Sequence, residues 1–543
     1  MDNLIVAALW FGPNKPNMKT LLQPIVENIA SISNNGIRIP GSAVCIRAKL
    51  VMAVFDLPAR AAATNTKQFN GEYGCTYCLD KGRIVNRAHI YPPDDNHKLR
   101  ESKQMKEWAV KAEMLNVSVY GIKGTSVLSD VLEIPVCIPI DYMHSLFEGV
   151  FKQLMKLWFG SSYHSEPYSL RRHIKTIDKL VSKVKPPNEI QRLPHSINNL
   201  SFFKASEYRA WVLYYAFPIV SVFLPTEYSQ HLVLLISAIH ILLSDHIKKS
   251  NLQIAHKMLS TFYREAGNIY SSNIYTAYMH SLEHMAGIVD IWGPMWAYSL
   301  FGFENLNGYL SCTFHGTRKI LLRMSFNIQL TQSLPVKLHQ LSQFESSETK
   351  AYIENLLSTK SNTMHIVEDD CYIIGKTSLQ SLTSDEMQLI TQNGFSLSSH
   401  EVQCFDRILK SGLVYCSNKY LRSKTRINTY CSFILPSGGT GYGEIRKFFS
   451  LQQAQPTLSI IRILHQKDET SPICALSPSL TQSINDIQCL DKLKNQIVHV
   501  VSTQELVVVP LKNITNKCVK IKVPIVGQKA MYVIPFPNKF EVH

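Results

Sequence analysis

Cys75 and Cys78 form a Cys-x-x-Cys pair in a Gly-rich turn, and His280 and His284 stand four residues apart. On a helix that spacing puts both imidazoles on one face. Two thiolates and two neutral imidazoles suit tetrahedral zinc. Each half also has a plainer reading. In a chain with 12 cysteines one close pair is a weak signal. A His pair at this spacing is commonly ordinary helix surface or satisfied core, and spacing alone does not join halves so far apart. Asp56 and Glu304 are the acids to single out. Two-metal nucleases arrange carboxylates around divalent ions that activate an attacking oxygen and stabilise the leaving one. With Pro58 two residues on, Asp56 equally fits a helix N-cap. Glu304 equally fits an exposed helix position. Asp141 and His144 make a third group, in which Asp141 suits a cap and His144 a metal ligand or a structural role.

The elements that must position these residues can be read from pattern. Residues 1–60 look mixed α/β. Leu4–Leu9 and Ala43–Leu57 are apolar, strand-like runs, and Met18–Ile32 has helical spacing with Pro24 near its start. Asp56 would then close a buried strand at its C-terminal edge. Residues 70–130 are loop-rich. From Asp141 to about Gly293 the signal is helical, with Ala255, Met258, Leu259, Phe262, Tyr263 and Ala266 on one apolar face. The His pair falls on a helix expected over Thr276–Val289. Thr383…Glu386 and Ser398…Glu401 have capping-box spacing and predict two short helices. After about residue 426 the pattern changes to strands: Thr429–Leu435, Ile460–Leu464, Ile497–Val501, Leu506–Val509, Val519–Val523 and Met531–Ile534. Gly438, Gly439, Gly441 and Gly443 are read as their turns. Short strands with turn signals predict a small β-barrel, with structural support its simplest role.

Composition narrows the class. Apolar residues are 45% and charged residues 18% of 543, an ordinary globular balance. The formal charge of +15 favours polyanionic partners, nucleic acid first. The scattered cysteines do not make a secreted disulfide framework. The first residues lack a signal-peptide pattern. The most apolar stretches, Ala210–Leu224 and His231–Leu243, are shorter than the ~20 residues that span a bilayer and predict buried core helices.

Several ordered motifs resemble one family. They are Leu9-Trp10-Phe11-Gly12; Asp56-Leu57-Pro58-Ala59-Arg60-Ala61; Gly74-Cys75-Thr76-Tyr77-Cys78; Asp141-Tyr142-Met143-His144; Gly293-Pro294-Met295-Trp296; Phe303-Glu304-Asn305-Leu306-Asn307-Gly308; and His315-Gly316-Thr317. Together they resemble the CACTA-type (En/Spm-like) DNA transposases in their animal form, the transposase domain-containing proteins, over most of the chain.

That resemblance implies an α/β RNase H-like core, incomplete at the N-terminus, with a large all-α insertion and a C-terminal small β-barrel-like domain. The expected division is a partial core over 1–130, an α-helical insertion over 131–296, a final core helix carrying Glu304 over 297–332, a mixed linker over 333–425 and a β-rich domain over 426–543. Asp56 matches the family's second catalytic aspartate and Glu304 its glutamate. The related recombination-activating recombinases are similar in order: aspartate, Cys-x-x-Cys, His pair, glutamate. By that likeness Cys75, Cys78, His280 and His284 hold a structural Zn²⁺. Mg²⁺ or Mn²⁺ would serve catalysis only where the acidic triad is complete. The family's first aspartate sits upstream of Leu9-Trp10-Phe11-Gly12, and Met1 falls only a few residues before that motif; Asp2 precedes Asn3 and not Gly. The expectation is therefore a transposase-derived DNA-binding protein, nuclear and catalytically incomplete, with DNA and further copies of itself as its partners. No membrane or small-molecule partner is expected. The alternatives are a domesticated DNA- or chromatin-binding protein without catalysis and a non-functional element remnant.

Overall fold

The computed structural model describes all residues except 1–3, 40, 96–97, 314–315, 317, 343–345, 358–363, 369, 398, 421, 452–455, 468–494, 526–527 and 542–543. Asp2, His315 and Thr317 therefore lie outside the described residues. The chain forms two compact units, each assembled from two separated stretches: Met1–Leu146 with Ser272–Ser361, and Phe147–Ser271 with Asn362–His543.

The first unit is mostly helix and loop. The helix expected from Met18 is present and runs to Asn35, with Pro24 inside it and the Asn17 side chain capping the Thr20 amide at 3.2 Å. Two antiparallel ribbons follow, β1 (Ile37–Arg38) with β2 (Cys45–Ile46), and β3 (Arg83–Val85) with β4 (Ala88–Ile90). Leu4–Leu9 forms no strand, and Ala43–Leu57 contributes only β2 and one isolated parallel bridge, Phe55 to Ile140. A strand needs a neighbour for its N–H and C=O groups. Among the described residues Ala43–Leu57 finds one at those points and where the Ala53 amide donates to the Cys137 carbonyl at 2.9 Å, too few in a row to make a strand. That bridge matters for the site, because the two bridged segments end in Asp56 and Asp141.

The core of this unit gathers Val26, Ala63, Met105, Ala109, Ile122, Leu128, Leu132, Ile134 and Ile138. The His-bearing helix spans Ala277–Trp292, opened by the Thr276 side chain and closed by Gly293 at φ +79°. The helix Phe301–Cys312 carries Glu304 in its first turn.

In the second unit the apolar stretches are buried helices, as their length implies. Every residue of Trp211–Val220 is buried, and so is nearly all of the helix Thr226–Leu242. The helix Lys249–Ile269 buries Ala255, Met258, Leu259, Phe262, Tyr263 and Ala266, the expected face. Among the described residues no helix is long and apolar enough to cross a membrane.

The strands of this unit are β5 (Met364–Glu368), β6 (Cys371–Ile374), β7 (Ser378–Ser381), β8 (Glu401–Phe405), β9 (Arg407–Lys410), β10 (Leu413–Cys416), β11 (Tyr430–Ile434), β12 (Thr440–Ser450), β13 (Thr457–Gln466), β14 (Val498–Pro510), β15 (Ile514–Ile525) and β16 (Gln528–Pro535). The larger sheet runs β11-β15-β16-β14-β13-β12, and β12 also pairs with β11, which closes a six-stranded antiparallel ring. Beyond a register shift between Ile445 and Lys447, the far end of β12 pairs with β8 as well. Tyr430, Tyr442, Leu464, Val498, Val500, Cys518 and Val533, drawn from all six strands, pack together as the ring's interior.

Three expectations are corrected here. The β region begins before residue 426, because β7 and β8 are hydrogen-bonded into the same sheet as β12. Glu401 opens strand β8 rather than a helix, since Val402 and Cys404 alternate into the core; Ser398 lies outside the described residues. Gly441 and Gly443 belong to β12, where an added Cβ would meet the Phe433 ring at 2.9 Å and the Ile461 side chain at 2.2 Å. Only Gly438 and Gly439, at φ +83° and +82°, make the turn. The capping box at Thr383 and Glu386 opens the helix Ser384–Gln392 as expected, and Ile497–Val501 and Leu506–Val509 merge into the single strand β14.

Candidate functional site

Cys75 and Cys78 lie in a turn held from behind by one buried guanidinium. Arg100 Nε donates to the Cys75 and Cys78 carbonyls at 3.0 and 2.9 Å, and its Nη2 donates to the Tyr73 carbonyl at 3.0 Å. The fixed fork of Arg is suited to gathering several carbonyls at once. Gly74 is required there, because a Cβ would sit 2.3 Å from the Gln68 carbonyl oxygen. Facing this turn, the helix Ala277–Trp292 presents His280 and His284 from adjacent turns, both buried.

The four donors converge. Cys75 Sγ is 3.4 Å from His284 Nε2, Cys78 Sγ is 3.2 Å from His280 Nε2, and the two Nε2 atoms are 3.2 Å apart. All four donor atoms lie within 4.8 Å of one another. Tetrahedral zinc with ligands at about 2.0–2.3 Å requires donors roughly 3.3–3.8 Å apart. The described residues thus hold a Cys₂His₂ set compatible with zinc. Burial pushes the Cys75 thiol up, but Cys78 and the two imidazoles outweigh it and carry its pKa well below the usual thiol value. Such a shift favours a thiolate, the form that binds metal. On the far side of the His280 ring, Nδ1 stands 3.7 Å from Asp80 Oδ2, the carboxylate placement that orients metal-bound imidazoles.

The second cluster lies at the end of the Phe55–Ile140 bridge. Asp56 caps the helix Leu57–Ala63, its Oδ1 accepting from the Ala59 amide at 2.7 Å. Asp141 is buried and fully engaged. Its Oδ2 accepts from the His144 amide at 2.9 Å and pairs with His144 Nδ1 at 2.7 Å, while Oδ1 accepts from the Leu300 amide at 3.0 Å. Leu300 is the residue that begins the Glu304 helix, so Asp141 fixes where that helix starts. His144 Nε2 then meets Glu304 Oε1 at 3.2 Å. Burial lowers the His144 imidazole, but the Asp141 hydrogen bond and the charges of Asp141, Glu304 and Asp56 outweigh it, so its pKa is raised. Asp141 and Glu304 thus meet at the two nitrogens of the His144 imidazole, and Asp56 is near enough for its charge to act on the ring.

Arg60 connects the two clusters. It sits on the helix that Asp56 caps, donates through Nη2 to the Pro139 carbonyl at 2.5 Å, approaches Thr76 Oγ1 at 3.5 Å and lies 5.6 Å from the centre of the Tyr77 ring. Sequence reasoning singled out neither Arg60, Arg100 nor Asp80. Arg60 lies inside the Asp56–Ala61 motif, and Asp80 follows Cys78 by two residues, where a carboxylate near a ligand pair could have been weighed. Nothing marked Arg100.

Compared with family models, curated proteins and solved structures, the chain matches none.

Proposed function

We propose that this chain is a DNA-binding protein derived from a CACTA-type transposase, with an RNase H-like core tied together by zinc. The observation that carries the reading is the convergence of Cys75, Cys78, His280 and His284, flanked in sequence by Asp56 and Glu304, whose charges both act on His144. These four residues would hold zinc as a structural ion, which would pin the His helix onto the turn after Asp56.

The acids fit the oxygen-donor chemistry of Mg²⁺ or Mn²⁺ in part. Asp56 Oδ2 makes no hydrogen bond among the described residues, and Glu304 is half exposed. These two would hold a divalent ion, which supplies activation of an attacking oxygen. The third carboxylate in the cluster, Asp141, has both oxygens committed to His144 and Leu300. A two-ion centre needs a further free carboxylate, and this favours binding without cutting. The role of the chain's own residues is then to hold the acids: Asp141 orients His144 and the Glu304 helix, and Arg60 locks the Asp56 helix to the metal turn.

The test is a duplex-DNA binding and cleavage assay with Mn²⁺, wild type against Glu304→Gln. Expected are steeply salt-dependent binding and no cleavage by either protein. Cleavage by wild type that Glu304→Gln abolishes would show a working enzyme and overturn the non-cutting reading. No binding at low salt would overturn the DNA reading itself.

A further inference from the structure

Inside one end of the six-stranded ring sits a charged group that the proposed core chemistry does not use. Glu444 on β12 lies directly opposite Tyr430 on β11 and Arg462 on β13. Lys520 on β15 lies opposite Val533, a residue of the ring interior. Glu444 and Arg462 are each two residues from an interior residue, Tyr442 and Leu464, so their side chains share the inward face. The contacts agree with this placement. Tyr430 Oη is 3.2 Å from Glu444 Oε1, Arg462 Nη2 pairs with Glu444 Oε2, and Lys520 Nζ bonds Tyr430 Oη from 4.1 Å above its ring centre.

The end is open to solvent. Arg462 is 25% and Arg446 40% exposed, and Lys522 and Lys185 are exposed. Arg446 Nη1 reaches the same Glu444 oxygen at 3.5 Å, and Lys522 and Lys185 both act on the Lys520 charge. Two arginines and a phenol therefore share the Glu444 carboxylate, and Lys520, bonded to that phenol, feels two further lysines. Arg462 Nε is buried with no hydrogen-bond partner among the described residues. Lys520 carries the consequence: burial, then the neighbouring Lys522, Arg462 and Lys185 against Glu444, bring its pKa down to about 8. Such an arrangement is stabilised by an added anion.

We infer that this end of the barrel, built from Lys185, Arg446, Arg462, Lys520 and Lys522, is a phosphate-binding surface for the backbone of nucleic acid. The cations run from a loop across three strands, β12, β13 and β15, instead of closing on one point, which suits a row of phosphates better than a single small anion. The one aromatic ring of the group, Tyr430, is buried, so it offers no stacking platform for bases. Recognition is therefore of backbone charge and not of sequence. This inference extends the DNA-binding reading to a place on the chain, and rests on that reading only for the kind of polyanion.

The experiment uses the full chain and a short fluorescent DNA duplex titrated between about 50 and 200 mM salt. Arg446→Gln with Lys522→Gln removes two exposed charges and leaves Tyr430, Glu444, Arg462 and Lys520 in place; Lys248→Gln with Lys249→Gln removes two exposed charges at the start of a helix and serves as control. Expected are binding about tenfold weaker at the lower salt and a log–log salt slope shallower by about 2 for the first pair only. Unchanged melting temperatures establish that both variants fold. An unchanged slope in the first pair, with wild type binding normally, overturns this inference and leaves DNA binding elsewhere on the chain. Wild type that ignores DNA but binds anionic phospholipid vesicles through these residues overturns it too, and the DNA reading with it.

Discussion

His144 Nε2 lies 3.2 Å from Glu304 Oε1, and its other ring nitrogen is 2.7 Å from Asp141. The ring is thus held between one buried acid and one exposed acid. Because its folded pKa is raised, the stability this contact contributes is complete below the ordinary imidazole pKa and fades as pH rises through the folded value. An NMR titration should find His144 above the ordinary value. Glu304→Gln should lower it, and Asp141→Asn should lower it further while destabilising the fold by about 1–3 kcal/mol, because the Leu300 amide and His144 lose a charged acceptor. A His144 titration indifferent to both changes would contradict the geometry.

The second unit should be sensitive to acid. His231 and His240 are buried in one helix, His231 Nε2 2.7 Å from the Phe262 carbonyl and His240 Nε2 3.1 Å from the Leu213 carbonyl. Burial lowers both pKa values to about 4, against the weaker raising effect of those carbonyls. The unfolded chain then binds protons that the folded one refuses. Stability is complete above pH of about 6.5 and is lost as pH falls toward about 4, by roughly 3 kcal/mol per histidine. Urea melts at descending pH read this directly, and His240→Gln should flatten the dependence by about half.

Arg100 should matter to metal binding although it touches none of the four donor atoms. Arg100→Lys keeps the charge but cannot bridge the carbonyls of Tyr73, Cys75 and Cys78 together. Metal affinity measured by competition with a chelator should fall about 10–100-fold, as for other outer-shell changes. Affinity equal to wild type would mean that the turn holds its shape without the guanidinium.

How much of this was legible in the sequence differs by element. The His helix and the buried helices were readable because apolar spacing and caps are local signals. Cys75 and His284 were readable from spacing as donors only, since nothing local records a contact across 209 positions; their pairing came from the order of motifs that the resemblance supplies. Asp141 was read as a cap, and it does receive an amide near its own helix. Its hold on Leu300, far along the chain, has no sequence signature. Gly441 and Gly443 misled for a physical reason. Glycine marks turns, but here it clears room for the Phe433 ring and the Ile461 side chain inside a strand.

The most direct test of the central claim is metal analysis of the purified full chain, prepared without chelator, beside Cys78→Ser and His280→Ala. The account predicts close to one zinc per chain in wild type, lost in both variants together with a lower melting temperature for the first unit. Wild type with no bound metal, or with zinc that survives both substitutions, would contradict it.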